Sequence, residues 1–261
     1  MNLSLENKNA IICGGSQGIG LAIAQELALL GANCILVARN ESNLKEALLH
    51  LDTSLSQRHS FASIDFNDHL VTEKWINDFV KTYPVDILIN NSGGPASGPI
   101  AQAKVEQFLQ AYNQHLITNH IMTIAVIPGM KSRCFGRVIN VISTSVKIPL
   151  SNLGVSNTTR GAVASWSKTM ANELGAFGIT VNNVLPGATR TQRLKSIISN
   201  NAAKHNKAEK EIEREMINEI PAGRFGEPTE IAAVAAFLAS PAAGYVNGVS
   251  IAVDGGRTGG I

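Results

Sequence analysis

The sequence predicts an α/β fold: one doubly wound domain whose mostly parallel seven-stranded sheet carries helices on both faces. Short, almost continuously apolar runs alternate with helical patterns along nearly the whole chain of 261 residues. Such alternation is typical of parallel strands joined by helical crossovers. The apolar runs also lack the polar alternation of a half-exposed sheet, which indicates that both faces of the sheet are covered.

The strands and helices can be placed from these patterns. Strand-like runs, mostly apolar or β-branched, occupy residues 10–13, 34–38, 61–65, 87–90, 138–142, 180–184 and 249–253. Helical patterns fill the intervals at residues 21–30, 43–51, 72–83, 104–130, 158–177 and 228–239. No linker, internal repeat or low-complexity tract divides the chain, so residues 1–261 are expected to form a single domain.

One segment breaks the pattern, because residues 192–220 are polar and charged between two core strands. A pair of charged helices in this position is either a solvated excursion or a lid over a substrate pocket. Its place directly after the sixth strand favours the lid, since the carboxyl ends of parallel strands are where ligands bind in such sheets. We therefore predict a substrate lid over residues 188–220.

Composition narrows the class of protein. Hydrophobic residues make up 44% and charged residues 16% of the chain, and the formal net charge is +2. These values suit a globular enzyme and give no reason to expect nucleic acid or an anionic membrane as a partner. No apolar run approaches the roughly 18 residues of a membrane span, and the N-terminus lacks the pattern of a signal peptide, so a cytoplasmic protein is expected.

The cysteines give no sign of a disulfide or a metal site. Cys13 and Cys34 fall in strand-like runs, Cys134 stands apart from both, and no C-x-x-C pair occurs. Reduced thiols and no bound metal are therefore expected.

The most informative stretch is a glycine-rich turn between the first strand and the first helix. Gly14, Gly18 and Gly20 follow the pattern G-x-x-x-G-x-G, which is related to the common dinucleotide-binding fingerprint but distinct from it. Glycines let the backbone turn sharply and approach a diphosphate, and the helix that follows offers unpaired N–H groups to the anion. The strand–turn–helix context favours a nucleotide site over a simple tight turn.

Arg39 bears on which dinucleotide would bind. It follows the second strand, where an NAD-binding fold usually places an acidic residue on the ribose 2′-hydroxyl, whereas an arginine accommodates a 2′-phosphate. The simpler alternative is a surface arginine at the start of a helix. We favour NADP(H) over NAD(H).

Several motifs together carry a family resemblance over nearly the whole chain. They are the glycine turn, Asp65, Asn90-Asn91-x-Gly93, Ser143, Pro186-Gly187-x-x-x-Thr191, and the stretches 223–228 and 253–256. In this order and spacing the chain resembles the short-chain dehydrogenases/reductases, in style nearest to the 3-oxoacyl-acyl-carrier-protein reductases. The resemblance implies a Rossmann-type fold, a nicotinamide cofactor, a carbonyl or alcohol substrate, and a homotetramer or homodimer.

The resemblance also implies roles by position. The residues expected to hold the cofactor are Gly14, Ser16, Gln17, Gly18, Ile19, Gly20, Arg39, Asp65, Phe66, Asn91, Ser92, Gly93, Arg160, Pro186, Gly187, Thr189 and Thr191. The substrate pocket is expected to be lined by Pro95, Ala96, Ser97, Val146, Leu150, Leu153 and the lid.

The catalytic half departs from the family pattern. Family members use a serine, a tyrosine thirteen residues later, a lysine four residues beyond it, and an asparagine on an earlier helix. Ser143 is in register for the serine, but Ser156 and Arg160 stand where the tyrosine and lysine belong. His115 stands at the asparagine position. An alkyl hydroxyl is a far weaker acid than tyrosine, and arginine cannot pass on a proton.

Each substitution has two interpretations. His115 is either the replacement acid, since imidazole titrates near neutral pH, or a histidine that satisfies backbone groups between helices. Ser156 and Arg160 either bind a carboxylate or phosphate, or form a polar helix start. Ser143 either donates to a carbonyl or caps a strand end, and Tyr112, one helical turn before His115, is a poor but possible acid.

Two function classes therefore stay open. The chain is either an NADP(H)-dependent oxidoreductase of a carbonyl/alcohol pair with a variant Ser143, Ser156 and Arg160 centre, or a non-catalytic dinucleotide-binding protein that acts as a sensor or partner subunit. The paired change to Ser156 and Arg160 keeps a hydroxyl and a positive charge, which favours a working site.

Overall fold

Seven strands form one parallel sheet in the computed structural model, which describes residues 1–95 and 97–259. The strands are β1 Asn9–Cys13, β2 Asn33–Ala38, β3 Ser60–Ser63, β4 Ile87–Asn90, β5 Gly136–Val141, β6 Ile179–Pro186 and β7 Ser250–Val253. Their order across the sheet is β3-β2-β1-β4-β5-β6-β7, and each neighbouring pair is parallel. The predicted doubly wound Rossmann-type fold is confirmed.

Helices connect these strands. They are α1 Gly18–Leu29, α2 Glu41–Leu48, α3 His69–Thr82, α4 Val105–Tyr112, α5 Thr118–Ser132, α6 Gly154–Leu174, α7 Gln192–His205, α8 Glu209–Asn218 and α9 Pro228–Ala239. A π-helical segment, Asn113–Ile117, joins α4 to α5 without a break. None of the described helices is both long and apolar enough to cross a membrane.

The sheet separates two apolar cores. On one face, α1 and α9 pack together with buried side chains such as Leu27 and Leu238. On the other face, α3, α5 and α6 contribute Ile76, Met122 and Met170. Because β1 lies beside β4, the chain winds outward in both directions from this pair, and the crevice at their carboxyl ends is where such sheets bind ligands.

A row of polar side chains crosses the sheet near its carboxyl edge. Asn90, Asn140 and Asn183 occupy paired positions on β4, β5 and β6. The amide nitrogen of Asn90 donates to Asn140 over 2.9 Å, and that of Asn140 donates to Asn183 over 3.0 Å. The amide nitrogen of Asn183 then donates to Ser250 on β7 over 3.0 Å. These hydrogen bonds join four strands just below the ligand-binding edge.

Among the element boundaries that differ from the sequence prediction, three lie near the candidate site. The pattern over 104–130 is two α-helices separated by the π-helical segment. Helix α6 begins at Gly154 rather than residue 158, and Gly154 packs so closely on Ile100 that a Cβ atom there would lie 2.4 Å from the Ile100 Cβ atom. Strand β3 ends at Ser63, the last residue paired with β2, so Asp65 lies beyond the strand.

The three cysteines differ in exposure. Cys13 and Cys34 are buried and free, and Cys134 is exposed and free. Burial raises the pKa of the Cys13 thiol to about 12, so this group is an inert part of the core.

Candidate active site

The glycine turn has the geometry that a close approach to an anion requires. Gly14 and Gly18 adopt φ angles of 62° and 56°, which residues with a side chain rarely adopt. A Cβ atom on Gly20 would lie 2.1 Å from the Gly14 carbonyl oxygen, so only glycine fits where α1 packs against the turn. The amide of Asn91 donates to the Cys13 carbonyl over 3.2 Å and fixes the turn to the end of β4.

The N-terminus of α1 is open toward this turn. Gln17 is its N-cap residue, and its side chain makes no capping hydrogen bond. The first N–H groups of a helix lack intrahelical partners and attract anions. The Thr191 Cγ2 atom would lie 3.4 Å from a Cβ atom on Gly18, which places the start of α7 over the same turn. Ser16, Gln17 and Ile19 line this turn.

At the end of β2, Arg39 is exposed and pairs with no carboxylate among residues 1–95 and 97–259. Its backbone carbonyl accepts a hydrogen bond of 2.9 Å from the Ser63 hydroxyl, which fixes the backbone at this position. The guanidinium is thus available to a ligand in the crevice.

Asp65 and Phe66 lie beside the same crevice, just past β3. Asp65 is exposed, and its Oδ1 atom accepts hydrogen bonds of 3.0 and 2.8 Å from the backbone and the amide of Asn67. Phe66 is buried, and its carbonyl accepts from the Thr118 hydroxyl over 3.1 Å at the start of α5. The loop is therefore anchored to the neighbouring helix.

The loop after β6 is held just as tightly. A Cβ atom on Gly187 would lie 2.6 Å from the Asp254 Cβ atom, so the loop passes directly against the end of β7. The Thr189 hydroxyl donates to the Gly187 carbonyl over 3.1 Å, and the Thr191 hydroxyl caps α7 by accepting from the Leu194 N–H over 3.3 Å. Pro186 is the last residue of β6.

Ser143 follows β5 and keeps a free proton to donate. Its Oγ atom accepts a hydrogen bond of 3.1 Å from the Ser145 N–H, which caps a short 3₁₀ turn. A hydroxyl can accept and donate at once, so capping leaves the O–H of Ser143 available to a carbonyl oxygen. The two interpretations of Ser143, cap and donor, are compatible.

Ser156 and Arg160 lie four residues apart in the first two turns of α6, so they share one face of that helix. Both are buried. The interpretation of Ser156 as the helix start is wrong, because the N-cap is Leu153. Arg160 donates from Nη1 to the Val141 carbonyl over 3.1 Å. Burial and the nearby Arg193 charge lower its pKa to about 10, which still leaves it charged at neutral pH.

His115 lies in the π-helical segment, a local widening that frequently occurs at functional sites. Its side chain is 1% exposed, its Nδ1 atom lies 2.7 Å from the Ser92 Oγ atom, and its buried Nε2 atom has no hydrogen-bond partner among the described residues. Burial, and then the charges of Arg160 and Arg193, lower the His115 pKa to about 2. A pKa this low leaves the imidazole neutral at neutral pH, which disfavours His115 as the replacement acid.

Arg193 is a residue beside the candidate site that the sequence analysis missed. It lies in the first turn of α7, and its guanidinium donates to the carbonyls of Gly94 and Pro95 over 2.9 and 3.0 Å. One signal could have found it. A positive charge in the first turn of a helix opposes the helix dipole, so an arginine there indicates a local role.

Two of the three tyrosines have structural or solvent-exposed positions, and the third adjoins the segment that holds His115. Tyr83 stacks on Phe79 and Tyr245 is fully exposed, while Tyr112 ends α4 directly before the π-helical segment.

The expected pocket is formed in part: Gly98 and Leu153 are joined by a parallel β-bridge, which brings the loop after β4 to the start of α6. Ala96 lies outside the described residues.

The segment predicted as a lid is a helical pair, α7 and α8, with an apolar cluster of its own. Leu194, Ile198 and Ile212 are buried in that cluster together with Phe225. The segment is therefore a packed structural unit whose first residues contact both the glycine turn and the loop after β4.

Comparison with known proteins identifies the class. Residues 14–258 match the family model described as Enoyl-(Acyl carrier protein) reductase. The fold, the glycine turn and this match define an NAD(P)-dependent oxidoreductase. The chain belongs to the short-chain dehydrogenase/reductase family.

Individual relatives cover the full chain. The 3-oxoacyl-[acyl-carrier-protein] reductase FabG of Vibrio harveyi is 33% identical over 97% of this chain and 98% of its own length. Gluconate 5-dehydrogenase of Gluconobacter oxydans is 28% identical over 98% of this chain and 96% of its own. The structure of L-sorbose reductase from Gluconobacter frateurii with NADPH and L-sorbose covers 100% of both chains at 29% identity and a TM-score of 0.93.

Proposed function

We propose that this protein is an NADP(H)-dependent oxidoreductase that interconverts a carbonyl and an alcohol through a variant centre. The observation that carries the proposal is the intact cofactor crevice, with a glycine turn that no side chain could occupy and an unpaired Arg39 at the end of β2. The L-sorbose reductase relative was crystallised with NADPH, which supports the same choice of cofactor. The relatives described above are named as enzymes, so they do not favour the non-catalytic alternative.

The residues present fit a dinucleotide. The turn at Gly14, Gly18 and Gly20 and the open N-terminus of α1 would hold the diphosphate. Arg39 would hold the 2′-phosphate, and Asp65, Phe66, Asn91 and Gly93 would flank the adenosine. Arg160, Pro186, Gly187, Thr189 and Thr191 would hold the nicotinamide end. A bound nicotinamide supplies or accepts the hydride.

The chain's own residues then position and stabilise the reacting oxygen. Ser143 donates its free O–H to the carbonyl oxygen, and Ser156 lies on the same face of α6 as Arg160. The positive charge of Arg160 stabilises negative charge that develops on the oxygen. Neither Arg160 nor neutral His115 can supply a proton at neutral pH. Water therefore delivers it, and positioning accounts for much of the rate.

The substrate must be inferred from the site, because the relatives differ. Their names point to an acyl-carrier-protein thioester, a sugar acid and a sugar. A direct test is NADPH oxidation against β-ketoacyl thioesters, sugars and small ketones, with NADPH binding measured in parallel. Turnover that Ser143→Ala reduces supports the proposal. Tight NADPH binding without turnover of any carbonyl would overturn it in favour of a sensor or partner subunit.

We also propose a homodimer or homotetramer and a lid role for residues 188–220. Near and along α5 and α6, the large apolar residues Ile117, Ile124 and Phe177 are exposed by 38%, 47% and 41%. Faces of this kind are typical of helices that pair across a symmetric interface. A monomer in light scattering at micromolar concentration would contradict the assembly.

A further inference from the structure

Two guanidinium groups converge beside His115. Arg160 is anchored to the end of β5 through the Val141 carbonyl, and Arg193 is anchored to the loop after β4 through Gly94 and Pro95. Strands β4 and β5 are neighbours in the sheet. His115 is joined to the same loop through Ser92, two residues before Gly94.

No carboxylate balances these charges. Within residues 1–95 and 97–259, neither Arg160 nor Arg193 forms an ion pair. Arg193 also lies in the first turn of α7, where the helix dipole disfavours positive charge. Two like charges held together without a counter-ion form an environment that favours an anionic ligand.

Arg193 has donors to spare for such a ligand. A guanidinium carries five N–H groups, and Arg193 uses one on each terminal nitrogen for the Gly94 and Pro95 carbonyls. Three N–H groups remain, and the residue is exposed rather than buried. The two carbonyl contacts hold the planar group in place, which reduces the entropy lost when it binds an anion.

The anionic groups of the cofactor have other partners. The proposed diphosphate site is the glycine turn with the N-terminus of α1, and the proposed 2′-phosphate partner is Arg39. Arg160 is assigned to the nicotinamide end. Arg193 instead reaches the loop after β4, on the side of Ser92 and His115 where the substrate would lie.

We propose that Arg193 is a specificity-determining receptor for an acidic group of the substrate, so that the carbonyl compound carries a carboxylate or a phosphate ester. This inference rests on the proposed function, since it names the substrate class of the same site. Arg160 adds positive potential to the pocket, and Arg193 contacts the acidic group itself.

Matched pairs of compounds test the proposal. The pairs are dihydroxyacetone phosphate with dihydroxyacetone, and 4-oxopentanoate with its methyl ester. We expect NADPH to reduce at least one acidic member with kcat/KM at least about tenfold above that of its neutral partner, because a charge-assisted hydrogen bond contributes roughly 1.5–3 kcal/mol. The two pairs distinguish a phosphate from a carboxylate.

The decisive variant is Arg193→Gln, and Arg214→Gln, an exposed arginine on the same helical pair, is its matched control. Arg193→Gln should raise KM for the acidic compound at least about tenfold while kcat, the neutral compound and the NADPH Kd change by less than about twofold. Arg193→Lys keeps the charge but loses the planar fork. Its KM for the acidic compound should therefore lie between those of the unmodified protein and Arg193→Gln. Arg214→Gln should behave as the unmodified protein.

Calorimetry on the NADP⁺-loaded protein gives a readout that does not depend on turnover. Binding of 4-oxopentanoate or dihydroxyacetone phosphate that Arg193→Gln abolishes supports the receptor even if no compound is reduced, in which case only the proposed reaction fails. Three results would overturn the proposal that Arg193 binds an acidic group of the substrate. They are equal kcat/KM for acidic and neutral compounds, weaker NADPH binding in Arg193→Gln, and no calorimetric binding of either anion.

Discussion

The Nδ1 atom of His115 lies 2.7 Å from the Oγ atom of Ser92, which ties the π-helical segment to the loop after β4. The opposite ring nitrogen is buried without a partner among the described residues, and two guanidiniums lie nearby. Protonation would add a third positive charge at a buried position. At neutral pH the histidine is therefore a neutral hydrogen-bonding group, which disfavours it as an acid.

This arrangement predicts sensitivity to acid. The His115 pKa is about 2 in the folded protein and near 6.5 in the unfolded chain, so below pH 6.5 the unfolded state binds the proton first. The stabilisation is complete above pH 6.5 and falls, by up to about 1.4 kcal/mol per pH unit, as the pH decreases toward 2. His115→Gln should remove this slope in the free energy of unfolding measured by urea titration between pH 7 and 4.

The matched control is His205→Gln at the exposed end of α7, which should leave the slope unchanged. His115→Gln should also leave the shape of the pH–rate profile near neutrality unaltered. An ionisation near pH 6.5 that disappears in this variant would show that His115 titrates during turnover.

A second prediction concerns the choice of cofactor. If Arg39 binds the 2′-phosphate, NADPH should bind at least about tenfold more tightly than NADH. Arg39→Ala should remove most of that difference and leave NADH affinity nearly unchanged, as measured by fluorescence titration. Equal affinities in the unmodified protein would exclude the assignment, and Arg58→Ala at another exposed arginine provides the control.

The third prediction separates binding from chemistry. Ser143→Ala should lower kcat roughly 10²-fold or more with NADPH affinity nearly unchanged, because a donor to the developing oxyanion acts mainly in the transition state. Arg160→Ala should lower both kcat and NADPH affinity, since its guanidinium is assigned to the cofactor and to the reacting oxygen. If Ser143→Ala retains full kcat, Ser143 is only the cap of its 3₁₀ turn.

The fourth prediction concerns the glycine turn. A Cβ atom on Gly20 would lie 2.1 Å from the Gly14 carbonyl oxygen, so Gly20→Ala should displace the turn and lower NADPH affinity at least about tenfold. Gly161→Ala in the interior of α6 is the matched change, because no atom lies within 4 Å of its added Cβ. It should stabilise the protein by roughly 0.5–1 kcal/mol in the same unfolding measurement. Unchanged NADPH binding in Gly20→Ala would contradict the role of the turn.

The sheet and the crevice at its carboxyl edge could be predicted from the sequence because local patterns determine both. Buried parallel strands must be apolar, and the turn after β1 must contain glycine, so both features are visible within a few residues. The start of α6 was placed too late because glycine is a poor helix former in sequence terms, and the close packing of Gly154 on Ile100 is not local.

The electrostatic character of the centre could not be predicted in the same way. Arg193 reaches carbonyls that lie almost a hundred residues earlier, and backbone acceptors leave no trace in residue type. The His115 pKa depends on burial and on two arginines from other helices. Residue identity alone gives the ordinary value of imidazole, which is why the acid role looked reasonable from the sequence.

The row of Asn90, Asn140 and Asn183 has a consequence for how such a centre can change. It joins the strand ends beneath the reacting groups through side chains that take no part in the chemistry. Neither Ser156 nor Arg160 takes part in these inter-strand hydrogen bonds. A protein of this fold without the tyrosine would keep this hydrogen-bonded row, and with it the sheet that carries the residues of the site.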